Sequence, residues 1–270
     1  MNRNILITGA SRGIGAAIAL AFAGQGDHVG INYRNDEKGA EKVCDEARKF
    51  GVKAGIYQAD VGDVAQVEKM FQAYLADFKT IDVLINNAGG GLKIPDGGFE
   101  KMPLTYWDDM ISLNLNAAAY CSSFAVRNMA EHGIKGAIIN ISSVHSVVTY
   151  VKRKTFPYCA AKAGLNMLTK TMGVDVIRLG IRVNAVAPGF ISTAATTRYS
   201  KEELKAFLRK IPAGRLGATQ DITPIVLFLA DNDKSGFIVG QTFVVDGGQS
   251  IDGTIDYMLL EEQIQEEGEE

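Results

Sequence analysis

Cysteine, histidine and proline are scarce in this chain of 270 residues, and each shortage removes a class of explanation. The three cysteines, Cys44, Cys121 and Cys159, are odd in number and widely spaced, which fits reduced thiols better than a disulfide framework. His28, His132 and His145 share no metal-ligand spacing with them, so no metal is expected. Six prolines form no linker, and no internal repeat divides the chain. No apolar run approaches the roughly 18 residues of a membrane-spanning helix. The opening MNRNILITGA enters a strand pattern at once, without a secretory apolar core. A cytoplasmic protein without membrane contact is the expectation. A net charge of −3 offers no general attraction to nucleic acid, and none is expected as a partner.

What is present is the balance of a globular protein, 47% hydrophobic and 22% charged, long enough for one large core. Short β-rich runs alternate with longer helical patterns, which predicts an α/β fold with a parallel sheet covered by helices on both faces. Strands are expected at residues 4–8, 28–33, 53–59, 83–86, 137–141, 182–187 and 242–245. Several are apolar on successive residues, as strands buried on both faces are. Helices are expected at 15–25, 37–50, 64–78, 106–131, 158–179 and 219–231. These elements make a single domain over residues 1–248. Beyond it lies an acidic extension, 249–270: from Ile255 to Glu270 there are seven acids and no Lys or Arg. This tail reads either as solvated chain or as a short helix, YMLLEEQI, that docks on something.

After the first strand comes Thr8-Gly9-Ala10-Ser11-Arg12-Gly13-Ile14-Gly15, leading into an Ala-rich helix. Glycines at 9, 13 and 15 permit a tight turn and close backbone approach to a pyrophosphate, while the helix N-terminus offers N–H groups to the anion. At the end of the second strand a carboxylate would select NAD(H) through the ribose 2′-OH. No acid stands there: the run is Ile31-Asn32-Tyr33-Arg34-Asn35, and Arg34, with Arg12 in the glycine turn, suits a 2′-phosphate. NADP(H) is favoured and NAD(H) stays open. Further on, Tyr158 and Lys162 stand four residues apart at the start of a helix, one turn apart on one face. Bringing a tyrosine pKa from about 10 to about 7 requires roughly 4 kcal/mol, and one ammonium about 4 Å away at an effective dielectric near 20 supplies about that much.

The GxxxGxG spacing, with Asn86-Asn87-Ala88-Gly89, Tyr158-Cys159-Ala160-Ala161-Lys162, Pro188-Gly189 and Asp246-Gly247-Gly248 in order over most of the chain, resembles the short-chain dehydrogenase/reductase family. The resemblance implies a Rossmann-type, doubly wound, seven-stranded parallel sheet in one domain. It implies a catalytic tetrad of Asn114, Ser143, Tyr158 and Lys162, with Ser142 as the alternative serine. It implies a cofactor site built from Gly9, Ser11, Arg12, Gly13, Ile14, Gly15, Arg34, Asp60, Val61, Asn87, Ala88, Gly89, Tyr158, Lys162, Pro188, Gly189, Ile191 and Thr193. Ser143 precedes Tyr158 by 15 residues, about two more than the family's usual gap, so the intervening loop is expected to bulge.

The substrate wall is expected from residues 90–100, 144–157 and 190–212, with Lys152-Arg153-Lys154 near the mouth reading either as an anion site or as a solvated loop tip. Among family branches the motifs are most similar to 3-oxoacyl-[acyl-carrier-protein] reductases. The substrate is then a small carbonyl or alcohol compound, free or carrier-bound, and the assembly a homotetramer. INYR and Ser142-Ser143-Val144-His145 also resemble sugar and polyol dehydrogenases, and a cyclic-ketone reductase fits the same frame. His145 reads either as a contact to a hydroxylated substrate or, as lone loop histidines more often are, as incidental. A nucleotide-binding sensor or scaffold without chemistry is the alternative from another class.

Overall fold

The computed structural model describes residues 2–91, 98–149, 155–193 and 200–251. Among them, seven strands form one parallel sheet: β1 (Asn4–Ile7), β2 (His28–Tyr33), β3 (Ala54–Gln58), β4 (Val83–Asn86), β5 (Ala137–Ile141), β6 (Arg182–Pro188) and β7 (Thr242–Val245). Their order is β3-β2-β1-β4-β5-β6-β7. The order reverses between β1 and β4, and in doubly wound sheets ligands bind beyond the carboxyl ends of the strands at such a point.

The helices are α1 (Gly13–Gly24), α2 (Glu37–Arg48), α3 (Val64–Phe78), α4 (Leu104–Ile111), α5 (Ala117–Glu131), α6 (Phe156–Val176), α7 (Lys201–Leu208), α8 (Thr219–Ala230) and α9 (Asn232–Ser235). Continuous apolar strands are required because both faces of the sheet are covered. Ile5 and Ile7 join one core with Phe22 of α1 and Val226 of α8, while Leu6 between them joins the other with Phe71 and Tyr74 of α3. β4 divides in the same way, Val83 and Ile85 against Leu84. Beneath the carboxyl ends a buried polar chain ties the second face together. Asn86 Nδ2 donates to Asn140 Oδ1 (2.8 Å) and Ser122 Oγ (2.9 Å), and Asn140 Nδ2 donates to Thr169 Oγ1 (2.9 Å).

One expected element is refined. The helix expected over 106–131 runs continuously through α4 and α5 but carries a π-helical turn between them, Ser112–Asn116. The side chain of Asn114 donates to the Met110 carbonyl, 3.0 Å away, in competition with the helical ladder. Helices α7 and α9 were not expected. Both are short and owe their starts to caps: Ser200 Oγ accepts from Glu203 N, and Asp231 accepts from Asp233 N and Lys234 N.

Candidate active site

The glycine turn is fastened to its neighbours from both sides. Gly13 has φ +61°, which a side chain would strain, and a Cβ there would meet only Thr193, at 3.7 Å. At Gly15 a Cβ would lie 2.4 Å from Asn87 Nδ2, so close packing on the chain's own β4 loop is what that position requires. Asn87 Nδ2 donates to the carbonyls of Thr8 and Gly9, both at 2.9 Å. Thr8 Oγ1 accepts from Asn87 N and Ala88 N, both at 3.0 Å. No side chain caps the first turn of α1 and no acid stands in it, so its amides and its positive dipole end suit a pyrophosphate.

The second cluster lies at the ends of β4 and β5. Pro157 in the first turn of α6 sets Tyr158 and Lys162 one turn apart. Across the 15-residue interval Ser143 stands as the neighbour that opposes the effect of burial on the Tyr158 hydroxyl. Lys162 is buried, its Nζ donates to the Ile141 carbonyl (2.8 Å), and it sits 5.8 Å from the centre of the Tyr158 ring. Asn114 accepts from Gly90 N (2.9 Å) and donates to Gly90 O (3.1 Å). A Cβ on Gly89 would come within 2.9 Å of Asn114 Oδ1 and 3.3 Å of Lys162 Nζ, so these two groups flank the same glycine. The four expected tetrad residues converge on one end of the sheet.

A family model described as enoyl-(acyl carrier protein) reductase matches residues 9–250. The 3-oxoacyl-[acyl-carrier-protein] reductase FabG of Staphylococcus aureus (strain MW2) is 40% identical over 248 residues, 92% of this chain and 98% of that protein. The chain belongs to the short-chain dehydrogenase/reductase family. 3beta-hydroxysteroid dehydrogenase 1 of Eggerthella lenta is 34% identical over 251 residues, 92% of this chain and 94% of that protein. Among solved structures, acetoin dehydrogenase YohF from Salmonella typhimurium has a TM-score of 0.84 at 32% identity, covering 94% of this chain and 98% of that one. As a short-chain dehydrogenase/reductase, the chain is an oxidoreductase acting on a carbonyl or CH–OH group.

In this short-chain dehydrogenase/reductase the two titratable groups move in opposite directions. Burial lowers the Lys162 ammonium to about 8. Burial raises Tyr158 above its ordinary value, and the Ser143 hydrogen bond opposes that rise. The lowering of Tyr158 expected from the lysine does not outweigh burial in this structure, where Lys162 lies against the ring and directs a proton at Ile141 O.

The two candidate serines part company. Ser142 Oγ donates to Asn166 Oδ1 (2.7 Å) on α6, while Ser143 faces Tyr158. Arg34 is not a lone cation: its Nη1 pairs with Asp60 Oδ2 at 3.3 Å, and Asp60 Oδ1 accepts from Gly62 N. Arg12 is exposed at the N-cap of α1, Ser11 and Ile14 are partly buried beside it, and Val61 is buried. Pro188 closes β6, Gly189 N donates to Val245 O, and Ile191 bridges to Gly217. Lys152-Arg153-Lys154, residues 92–97 and 194–199 of the expected substrate wall, and residues 252–270 of the tail lie outside the described residues.

Two contributors are missing from the expected site. Asn32 is buried, its Oδ1 accepts from Gly9 N (3.0 Å), and its Nδ2 donates to Tyr57 O (3.1 Å) and Ala59 O (3.2 Å), which locks the glycine turn to the end of β3. A polar residue inside an apolar strand was the available signal. His145 packs beside the site: its ring meets that of Tyr158 edge-on at 5.6 Å, and its Nδ1 lies 3.7 Å from Cys159 Sγ. Among the described residues no group of His, Cys, Asp and Glu suits a metal, and no helix is long and apolar enough to cross a membrane.

Proposed function

We propose that this oxidoreductase reduces 3-oxoacyl thioesters, presented on a carrier arm, with NADPH, and that it works in the cytoplasm as a homotetramer. The observation that carries the chemistry is a buried Lys162 whose Nζ lies 5.8 Å from the centre of the Tyr158 ring. The 40% identity to the 3-oxoacyl-[acyl-carrier-protein] reductase of S. aureus supports the substrate class.

The bound nicotinamide would supply the hydride, and the chain supplies everything else. The glycine turn, residues 9–15, with Asn87, Ala88 and Gly89, would hold the cofactor's phosphates and ribose. Asp60 and Val61 would meet the adenine, and Pro188, Gly189, Ile191 and Thr193 the nicotinamide side. Arg34, aided by Arg12, would take the 2′-phosphate. Its present pair with Asp60 is half exposed and worth at most about 1 kcal/mol, so a phosphate can replace it. NAD(H) is the second cofactor to test. Ser143 would donate to the substrate carbonyl where charge develops, and Tyr158 would pass its proton to that oxygen. Lys162 would hold the nicotinamide ribose and replenish Tyr158, with Asn114 positioned beside it at Gly89.

A second reading has its own observation. His145 against Tyr158 makes one wall polar, which suits a small hydroxyketone or polyol, and acetoin dehydrogenases stand among the structural relatives. Single-turnover oxidation of NADPH by a panel of 3-oxoacyl thioesters, hydroxyketones, cyclic ketones and sugars tests both. Fastest turnover of a thioester is expected. Fastest turnover of a hydroxyketone replaces the first reading with the second. Tyr158→Phe should cost about 10²- to 10⁴-fold in kcat. NADPH binding without reduction of any panel member would leave only a sensor or scaffold.

A further inference from the structure

The adenine end and the tetrad end of the site are joined by a side chain that belongs to neither. Ser112 opens the π-helical turn, and its own carbonyl accepts the widened bond from Ala117 N that closes that turn. A serine inside a helix commonly bonds back to the carbonyl four residues earlier. The Ser112 hydroxyl turns outward instead and donates to Gly62 O at 3.0 Å, 50 residues away in the chain. Gly62 makes this approach possible, since a Cβ there would lie 2.9 Å from Ser112 Oγ and 3.3 Å from Asp60 Oδ1.

Gly62 belongs to the loop after β3, whose first residues, Asp60 and Val61, the proposed cofactor placement sets against the adenine. That loop is held as a unit. Gly62 N donates to Asp60 Oδ1 (3.0 Å), Asp60 N donates to Gln66 Oε1 (2.9 Å), and Asp60 Oδ2 pairs with Arg34. Two residues beyond Ser112, the buried Asn114 clasps Gly90 through both ends of its amide and shares Gly89 with Lys162 Nζ. A π-helical turn closes its bond one residue further along than an α-helical turn does. Its relaxation to α would slip the register by one residue, about 100° around the helix axis, and carry Asn114 away from Gly90.

We propose that Ser112 is a positioning residue of the reaction: it fastens the turn that presents Asn114 to the loop that receives the adenine, so that filling the adenine end steadies the tetrad end. The inference rests on the proposed cofactor placement, which says what the loop meets. A nucleotide bound at Asp60 and Val61 orders Gly62, the acceptor stays in place for Ser112, and the π form then loses less freedom in holding its shape.

Hydrogen exchange on the full-length protein with adenosine 2′,5′-bisphosphate, which has the adenine and a 2′-phosphate but no nicotinamide, tests this without a substrate. In the parent the nucleotide should slow the amides of residues 60–62 and also those of 113–117, the latter about 5-fold, as one hydrogen bond allows. In Ser112→Ala the amides of 113–117 should exchange about 5-fold faster than in the parent and no longer respond to the nucleotide, while 60–62 respond as before. Ser112→Thr keeps the hydroxyl and should restore the response. A hydroxyl that only stabilises the helix would speed exchange in Ser112→Ala by the same factor with and without nucleotide, and that result overturns the proposal. So does a parent in which 60–62 respond and 113–117 do not. A parent in which neither segment responds overturns the cofactor placement itself and the inference with it, so the two failures are told apart at residues 60–62.

Discussion

Burial of the Lys162 ammonium separates what the reaction uses from what folding favours. The unfolded chain keeps that proton to an ordinary value of 10.5, whereas the folded chain releases it near 8. Because the folded value is depressed, the unfolded state binds more protons between these limits. The penalty is therefore full below pH 8, and stability recovers as pH rises toward 10.5. The gap corresponds to about 3 kcal/mol. Removing the amine also strands the Ile141 carbonyl at a cost of about 1 kcal/mol. Lys162→Met should thus be about 2 kcal/mol more stable than the parent at pH 7, with the advantage gone near pH 10.5. Urea unfolding at the two pH values checks this, and an equal difference at both would remove the buried charge as its cause. Arg34 makes a second prediction at this scale. If it reads a 2′-phosphate, Arg34→Asp gives up a charge-assisted bond worth about 1.5–3 kcal/mol. The Kd for NADPH should rise about 10- to 100-fold while that for NADH holds or falls. Equal losses for both would assign Arg34 to Asp60 alone.

Among elements, the glycine turn depends on one amide outside it. Asn32 accepts from Gly9 N with one end and donates to two β3-end carbonyls with the other. Asn32→Ala leaves these buried groups unmet and should cost about 3 kcal/mol. Asn32→Asp keeps the acceptor for Gly9 but sets a buried carboxylate against the carbonyls of Tyr57 and Ala59, so it should be the more damaging at pH 7. Its folded pKa would be raised, and its deficit should shrink as pH falls through that value. Melting curves of both variants between pH 5 and 8 test the order. Strands such as ILI and VLI were legible because two buried faces demand unbroken apolar runs. The π-helical turn at Ser112–Asn116 was less so: the apolar spacing runs through it, the polar Asn114 gave a hint of a local kink, and its bonds to Gly90 and Met110 show the form it takes. Nor could spacing divide Ser142 from Ser143. Adjacent residues at a strand end face opposite ways, and only the Asn166 partner shows which one turns from Tyr158.

At the scale of the whole molecule, exposed large apolar side chains stand on several elements of the described surface, and two sets of them bear on assembly. Met167 and Val174 stand seven residues apart on α6, on one face of the helix, with Leu104 exposed on α4. The other set is Val244, exposed on the sheet's edge strand β7, and Phe237, seven residues before it in the chain and fully exposed. Side chains of this size on a monomer would leave apolar area in water, whereas two different self-complementary contacts, each about its own two-fold axis, build a closed tetramer. The two sets should then fail independently. Met167→Glu/Val174→Glu should yield dimers held through β7, Phe237→Glu/Val244→Lys should yield dimers held through α6, and all four changes together should yield monomers. Sedimentation velocity distinguishes the three masses. A tetramer that survives either pair would mean that the altered face is solvated in the assembly, and a monomeric parent would end the tetramer reading altogether.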